Sequence, residues 1–179
     1  MPLEKPLLRS LDRAGRNSAN SKVVIQSFET TNLRKLATQT RVPLVQLTSA
    51  VGAPYDLKVA GDPRTYADIM APAGLRKVAK YAKWLSPEKN SVIPRNAAGF
   101  LTTPSPVVKD AHRAGLKVVA YTFRDENQFL PADFRIGTDP NAKGDIQAEL
   151  KTFFAAGLDG VFADYPDSAV KARDLWNQS

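Results

Sequence analysis

The 179-residue sequence has no cysteine and a single histidine, and no apolar run approaches the roughly 20 residues a membrane helix requires. Without cysteine, neither a disulfide framework nor a thiolate metal site is possible, although secretion is not thereby excluded. The opening residues M-P-L-E-K-P-L-L-R have neither the long apolar core nor the small-residue cleavage pattern of a signal peptide. The expectation is a soluble chain with no visible address. The one histidine, His112, falls in A-H-R-A-G on a predicted outer helix just before a strand, where a helix-surface role is favoured over catalysis.

What is present suits a soluble globular domain. Hydrophobic residues make up 43% and charged residues 24%, enough to bury one sizeable core in one domain or part of one. The formal net charge of +7 favours anionic partners, and phosphate esters, nucleic acid and acidic lipid surfaces all qualify. The basic residues are scattered (Arg9, Arg13, Arg16, Lys22, Arg34, Lys35, Arg41, then Arg76, Lys77, Lys80, Lys83) rather than packed into one run interleaved with aromatics. That pattern reads as a solvated surface and argues against nucleic acid as the partner.

Along the chain, strand and helix patterns alternate. Leu7 to Ala14 reads as the end of an amphipathic helix stopped by Gly15. Val23 to Ile25 reads as a strand ending at Gln26-Ser27-Phe28, followed by helical spacing over Glu29 to Thr38. A second strand, Val42 to Leu47, runs into a long Gly/Pro-containing excursion, Thr48 to Asp68. A helix over Met70 to Ala82 has Pro72 suited to its first turn, Trp84-Leu85 is a short strand, and Ser86 to Thr103 is a loop. Ser105 to Ala114 is a helix closed by Gly115. Lys117 to Phe123, K-V-V-A-Y-T-F, is the clearest strand, and Arg124 to Asp145 is a third loop. Ile146 to Ala156 is a helix capped by Gly157, Gly160 to Ala163 a last strand, and Pro166 to Trp176 the closing helix. Nearly continuous apolar strands are expected where both sheet faces are covered. The fold class is therefore α/β, about five βα units in a curved parallel sheet, short of the eight strands and ~250 residues of a closed (β/α)8 barrel.

The strings I-Q-S-F-E (Ile25 to Glu29), P-L-V-Q-L (Pro43 to Leu47), G-D-P-R-T-Y-A-D (Gly61 to Asp68), A-Y-T-F-R-D-E-N-Q-F-L-P-A-D (Ala120 to Asp133) and G-L-D-G-V-F-A-D-Y-P-D (Gly157 to Asp167) together resemble the C-terminal part of the glycerophosphodiester phosphodiesterase family, in its long bacterial periplasmic or secreted type. The resemblance runs from about Leu7 to the end and implies that residues 1–179 form a single C-terminal portion of a TIM barrel, its strands resembling the fourth to the eighth. It implies hydrolysis of glycerophosphodiesters to an alcohol and glycerol 3-phosphate, within lipid and glycerol metabolism. It also implies a divalent cation, calcium or magnesium, in the complete enzyme, and a periplasmic or secreted location. The family's H-R-G and H-D histidine motifs and its E-x-D and E-I-K carboxylate motifs are absent from this sequence. No catalytic or metal residue is therefore assigned, no ion is expected on this chain alone, and the chain is expected to be inactive by itself.

The candidate substrate-binding residues are Gln26, Tyr121, Arg124 and Lys89. Gln26 ends a strand, where it could bond a substrate hydroxyl or sit buried against neighbouring backbone; Gln46 has the same ambiguity, with the structural reading favoured. On an extended strand Tyr121 and Phe123 share one face and Thr122 and Arg124 the other, so only one pair points inward. Arg124 is the strongest candidate, its guanidinium fork suiting a phosphate; the alternative is a salt bridge to Asp125 or Glu126. Lys89 and Arg95 either add positive potential around an anion or are plain surface residues. Asp164 ends the last strand, where helix capping is favoured over a site role. Phe129-Leu130-Pro131 forms part of a lid or a hydrophobic tuck that anchors its loop. The expected partners are a glycerophosphodiester-type small molecule and either a complementary N-terminal half or a second copy, with no membrane span. The competing reading is a non-catalytic protein that binds phosphate or another anion, or that complements a barrel.

Overall fold

A computed structural model describes residues 3–178. Five strands, β1 (Ile25–Ser27), β2 (Leu44–Thr48), β3 (Trp84–Pro87), β4 (Lys117–Phe123) and β5 (Gly160–Ala163), are hydrogen-bonded in the order β1-β2-β3-β4-β5. A strand order that follows the sequence is that of a barrel wall, whereas a doubly wound sheet reverses direction at a switch point. The fold is α/β, a partial (β/α)8 barrel of five βα units. The helices are α1 (Glu4–Arg13), α2 (Thr30–Ala37), α3 (Tyr55–Val59), α4 (Tyr66–Met70), α5 (Pro72–Val78), α6 (Lys89–Val92), α7 (Val107–Arg113), α8 (Ile146–Ala155) and α9 (Pro166–Trp176).

The chain divides into two compact units, Met1–Ser86 with Asp110–Lys117, and Pro87–Lys109 with Val118–Ser179. In the first, β1 and β2 pair in parallel with Ile25 opposite Leu44 and Ser27 opposite Gln46. The Lys83 N–H donates to Leu44 O and the Lys117 N–H to Lys83 O, which leads the chain into β3 and β4. Leu33 and Leu36 of α2 lie on one face by their i, i+3 spacing and are buried with Leu75, Val78 and Leu85. The first strand begins at Ile25 rather than Val23, because Val24 stays 44% exposed while Ile25 is buried. The excursion after β2, a loop by its sequence pattern, folds into the helices α3 and α4. The second, α4, is held by a capping box in which Thr65 and Asp68 exchange hydrogen bonds. Gly74 lets α5 start against α4, since a Cβ there would lie 2.1 Å from Asp68 O.

In the second unit β4 and β5 pair in parallel, with the register shifting between Ala120 and Phe123. The Tyr121–Thr122 peptide bond is cis. With the register shifting here, the strict alternation expected through Tyr121, Thr122, Phe123 and Arg124 does not carry across this stretch: Tyr121 and Thr122 are both half-buried, and Phe123 is sealed. Phe123 packs edge to face on Phe153 of α8, centroids 5.1 Å apart. That helix buries Ile146, Glu149, Leu150 and Phe153, and it ends with Gly157 at φ +99°, where the Leu158 N–H turns back to Phe153 O. The loop Arg124–Asp145 carries two short 3-10 turns, Asn127–Phe129 and Ala132–Phe134.

Candidate active-site face

In a parallel α/β fold, functional groups stand at the carboxyl ends of the strands. In the second unit those ends carry Glu88 after β3, Arg124 after β4 and Asp164 after β5. Arg124 and Asp164 meet, Nε to Oδ2 at 2.6 Å, with their side chains 39% and 47% exposed. The partner is thus Asp164, not the neighbouring Asp125 or Glu126, because a parallel neighbour brings its own strand end alongside. The Asp164 N–H also donates to Phe123 O. The guanidinium lies 4.5 Å from the centroid of Phe129, which fixes its plane by cation–π contact. Asp164 does not cap the closing helix, whose N-terminus has no side-chain cap.

Beside this pair, the Tyr165 hydroxyl donates to Glu126 Oε1 at 3.0 Å, and that bond pushes the phenol's pKa up. Asp125, buried, accepts from Lys143 Nζ at 2.9 Å and from Ser168 Oγ at 2.8 Å. The Asp125 hydrogen bond raises the Lys143 ammonium pKa, and Lys143 also covers the Tyr165 ring at 4.4 Å. Glu88 is held by Asn90, whose N–H donates to Oε2 and whose amide donates to Oε1; burial pushes its carboxyl up. The face is thus a set of half-open ion pairs and hydrogen bonds built from the residues that follow each strand.

Of the four candidate residues, Gln26 belongs to the first unit and Tyr121, Arg124 and Lys89 to the second. Tyr121, half-buried, bridges in parallel to Glu88. Gln26 is exposed on β1 in the first unit and is not the buried, backbone-bonded glutamine weighed as its alternative. Gln46 is: fully buried, it donates to Phe28 O and Leu47 O and accepts from the Tyr81 hydroxyl at 2.7 Å. Lys89 is not a surface residue. Only 4% exposed, its ammonium donates to Glu149 Oε1 at 2.8 Å and to Phe129 O at 3.0 Å. Burial lowers its pKa and raises that of Glu149, each opposed by the partner's charge. Arg95 Nη2 donates to the same Phe129 carbonyl at 2.8 Å and Arg135 Nε to Leu130 O at 3.1 Å, so Phe129-Leu130-Pro131 is tied down by three cations, with Leu130 buried.

Glu149 is the residue the sequence reading missed. It occupies a core position of α8 at i+3 from Ile146 and beside Leu150, and an acidic residue on an apolar helical face demands a buried cation. His112 sits exposed on α7. Among the described residues no group of three or more His, Asp or Glu side chains could hold a metal ion, and the carboxylates at the strand ends are already held by protein donors. The calcium or magnesium implied by the family resemblance does not fit this donor set. No helix among the described residues is long and apolar enough to cross a membrane.

The family model "Glycerophosphoryl diester phosphodiesterase family" matches residues 2–168. Among curated proteins, the chain is 31% identical over 153 residues to glycerophosphodiester phosphodiesterase GDPD6 of Arabidopsis thaliana, covering 86% of this chain and 38% of that protein. It is 27% identical over 117 residues to glycerophosphodiester phosphodiesterase GDPDL1 of the same plant, covering 64% and 14%. The chain therefore spans well under half the length of these relatives. A solved structure from Silicibacter pomeroyi DSS-3, assigned as a glycerophosphoryl diester phosphodiesterase, superposes with a TM-score of 0.61 at 18% identity, over 97% of this chain and 44% of that one. A second, with the same assignment, from Agrobacterium tumefaciens C58, gives 0.56 at 14%, over 98% and 52%. At such identities the two structures speak for the fold, and the sequence match decides the relationship: this chain belongs to the glycerophosphoryl diester phosphodiesterase family.

Proposed function

We propose that this chain supplies the C-terminal strands of a glycerophosphodiester phosphodiesterase barrel, which hydrolyses glycerophosphodiesters to an alcohol and glycerol 3-phosphate, and that the 179-residue chain alone has no turnover. The observation that carries the reading is the contrast between the two parts of the chemistry. A guanidinium stands at a strand end, paired but 39% exposed, as recognition of an anionic phosphoryl group requires. The family's histidine motifs have no counterpart in the sequence: the one histidine is exposed on α7, and among the described residues no group of three or more His, Asp or Glu side chains could hold an ion.

Within this reading Arg124 meets the phosphoryl oxygens, with Asp164 holding the fork in plane until substrate competes for it. Tyr121, in the same unit as Arg124, keeps accessible surface and contacts the glycerol or the alcohol portion. Lys89 acts indirectly, by fixing the Phe129 carbonyl and so the ring under Arg124. The ends of the strand order, β1 and β5, each have one strand neighbour, and unpaired edges favour a complementary polypeptide or self-association. The test is incubation of the purified chain with glycerophosphocholine and calcium or magnesium, with released glycerol 3-phosphate measured by an enzyme-coupled assay. No release above the blank is expected, and recovery of release is expected on co-expression with a polypeptide carrying H-R-G, E-x-D and E-I-K motifs. Sustained release from the chain alone would refute the division of labour.

A further inference from the structure

A pocket of about 360 Å³ in the first unit is lined by Arg34, Lys77, Lys80 and Tyr81 and by no carboxylate. It lies where α2 and α5 end, ahead of β3, and so does not include the strand ends that carry Arg124 and Asp164. An adjoining cleft of about 330 Å³ shares Lys80 and Tyr81 and adds Arg41 and Lys83, again with no acidic lining. We propose that the pocket formed by Arg34, Lys77, Lys80 and Tyr81 is an anion site that takes a phosphate-bearing group, its lining distinct from the strand ends that carry Arg124 and Asp164.

Three features of the geometry support it. The Arg34 guanidinium stacks over the Tyr81 ring at 5.4 Å, so its fork is held in one plane before any ligand arrives. The ring itself is fixed, because the Tyr81 hydroxyl donates to the buried Gln46 at 2.7 Å. Asp62, whose carboxylate feels the Lys77 charge, is already engaged: it is gripped by Arg64 through Nε at 2.9 Å and Nη2 at 2.6 Å. Burial pushes the Tyr81 phenol up to about 12, so the ring carries no charge that would repel an anion at neutral pH. Cations at helix C-termini complement the helix dipole, which accounts for the presence of Arg34 and Lys77 but not for their convergence with Lys80 on one phenol-floored cavity. A cavity of this volume is within the range of small-ligand sites.

The test uses the full chain. Inorganic phosphate and glycerol 3-phosphate are titrated by calorimetry, and retention is measured on phosphatidylcholine vesicles with and without phosphatidylglycerol. The variants are the triple Arg34→Gln/Lys77→Gln/Lys80→Gln, a charge-matched triple of exposed residues elsewhere (Arg9→Gln/Arg13→Gln/Lys151→Gln), and Arg124→Gln. Circular dichroism melts check that each still folds. The site triple is expected to weaken binding about tenfold or more, with the matched triple within about twofold of the parent; Arg124→Gln removes the strand-end contribution, so that the two sites are read separately. Binding of the soluble anions alone assigns a soluble phosphate ester, and selective retention on phosphatidylglycerol assigns a lipid headgroup. No binding to any probe, equal loss in the matched triple, or loss confined to Arg124→Gln would overturn the site. The last of these would leave the proposed strand-end role of Arg124 standing.

Discussion

The Lys89–Glu149 pair yields the sharpest quantitative expectation. Its charged atoms are 2.8 Å apart and the side chains are 5% and 0% exposed. At an effective dielectric of 20 the attraction is about 6 kcal/mol, set against desolvation costs of several kcal/mol per ion. The net worth of the pair is therefore small, while the cost of leaving either member alone is large. Lys89→Met leaves the Glu149 carboxylate buried with only Arg95, 3.8 Å away, and should cost about 3–5 kcal/mol, as should Glu149→Leu. The double variant Lys89→Met/Glu149→Leu should recover most of that loss, because both desolvation penalties vanish together. Urea denaturation of the parent, both single variants and the double variant gives the coupling energy directly. Single variants that cost less than about 1 kcal/mol, or a double variant that loses the sum of the two, would refute the reasoning. Amide exchange at Phe129 and Leu130 should quicken in Lys89→Met and in the double variant alike, since both lose the ammonium that holds the Phe129 carbonyl.

Other expectations follow from single contacts. Gly144→Ala would place a Cβ 2.4 Å from Leu130 Cδ1 and 2.6 Å from Phe134 O, and the loop must open to admit it; a loss of about 1–3 kcal/mol in thermal or urea unfolding is expected. Asp62 is held at about 2, below its ordinary 3.8, chiefly by the Arg64 side chain. A depressed carboxylate stabilises the fold above the ordinary value, and that contribution is lost as pH falls through about 2, so an NMR titration should find Asp62 titrating low and returning toward 3.8 in Arg64→Gln. Tyr81, raised to about 12 by burial, has the opposite sign: its contribution is complete below 10 and is lost as pH climbs through about 12. Ultraviolet titration should show this phenol ionising only as the fold opens.

The legibility of these features in the sequence tracks how far each depends on distant residues. Strand β4 and strand β5 match their expected bounds, Lys117–Phe123 and Gly160–Ala163, as does α9 at Pro166–Trp176, because a glycine or proline marks where each begins: Gly115, Gly160 and Pro166. The helices α3, α4 and α6, four or five residues each, were read as loop: so short a segment contains barely one turn, too little for a 3.6-residue period to register. They form because capping and contacts supplied from elsewhere hold them. Glu29 accepts from the N–H groups of Tyr55 and Asp56, and Asp56 in turn accepts from the Thr31 N–H at 2.6 Å.

The same logic separates the site residues. Arg124 was visible as a basic residue at the end of a strand, but its partner was sought next door and lies across the ladder at Asp164. A local salt bridge needs only adjacent residues, whereas a parallel pair is specified by register, which a single strand does not reveal. Lys89 reads as an ordinary loop cation until Glu149 is recognised as one of the four buried positions of α8. Both partners are then explained at once: the helix period places a carboxylate in the core, and burial without a cation would cost more than the helix can offset. An acidic residue on an apolar stripe is therefore the sequence mark of a buried pair, even when the cation that answers it comes from a loop far back in the chain.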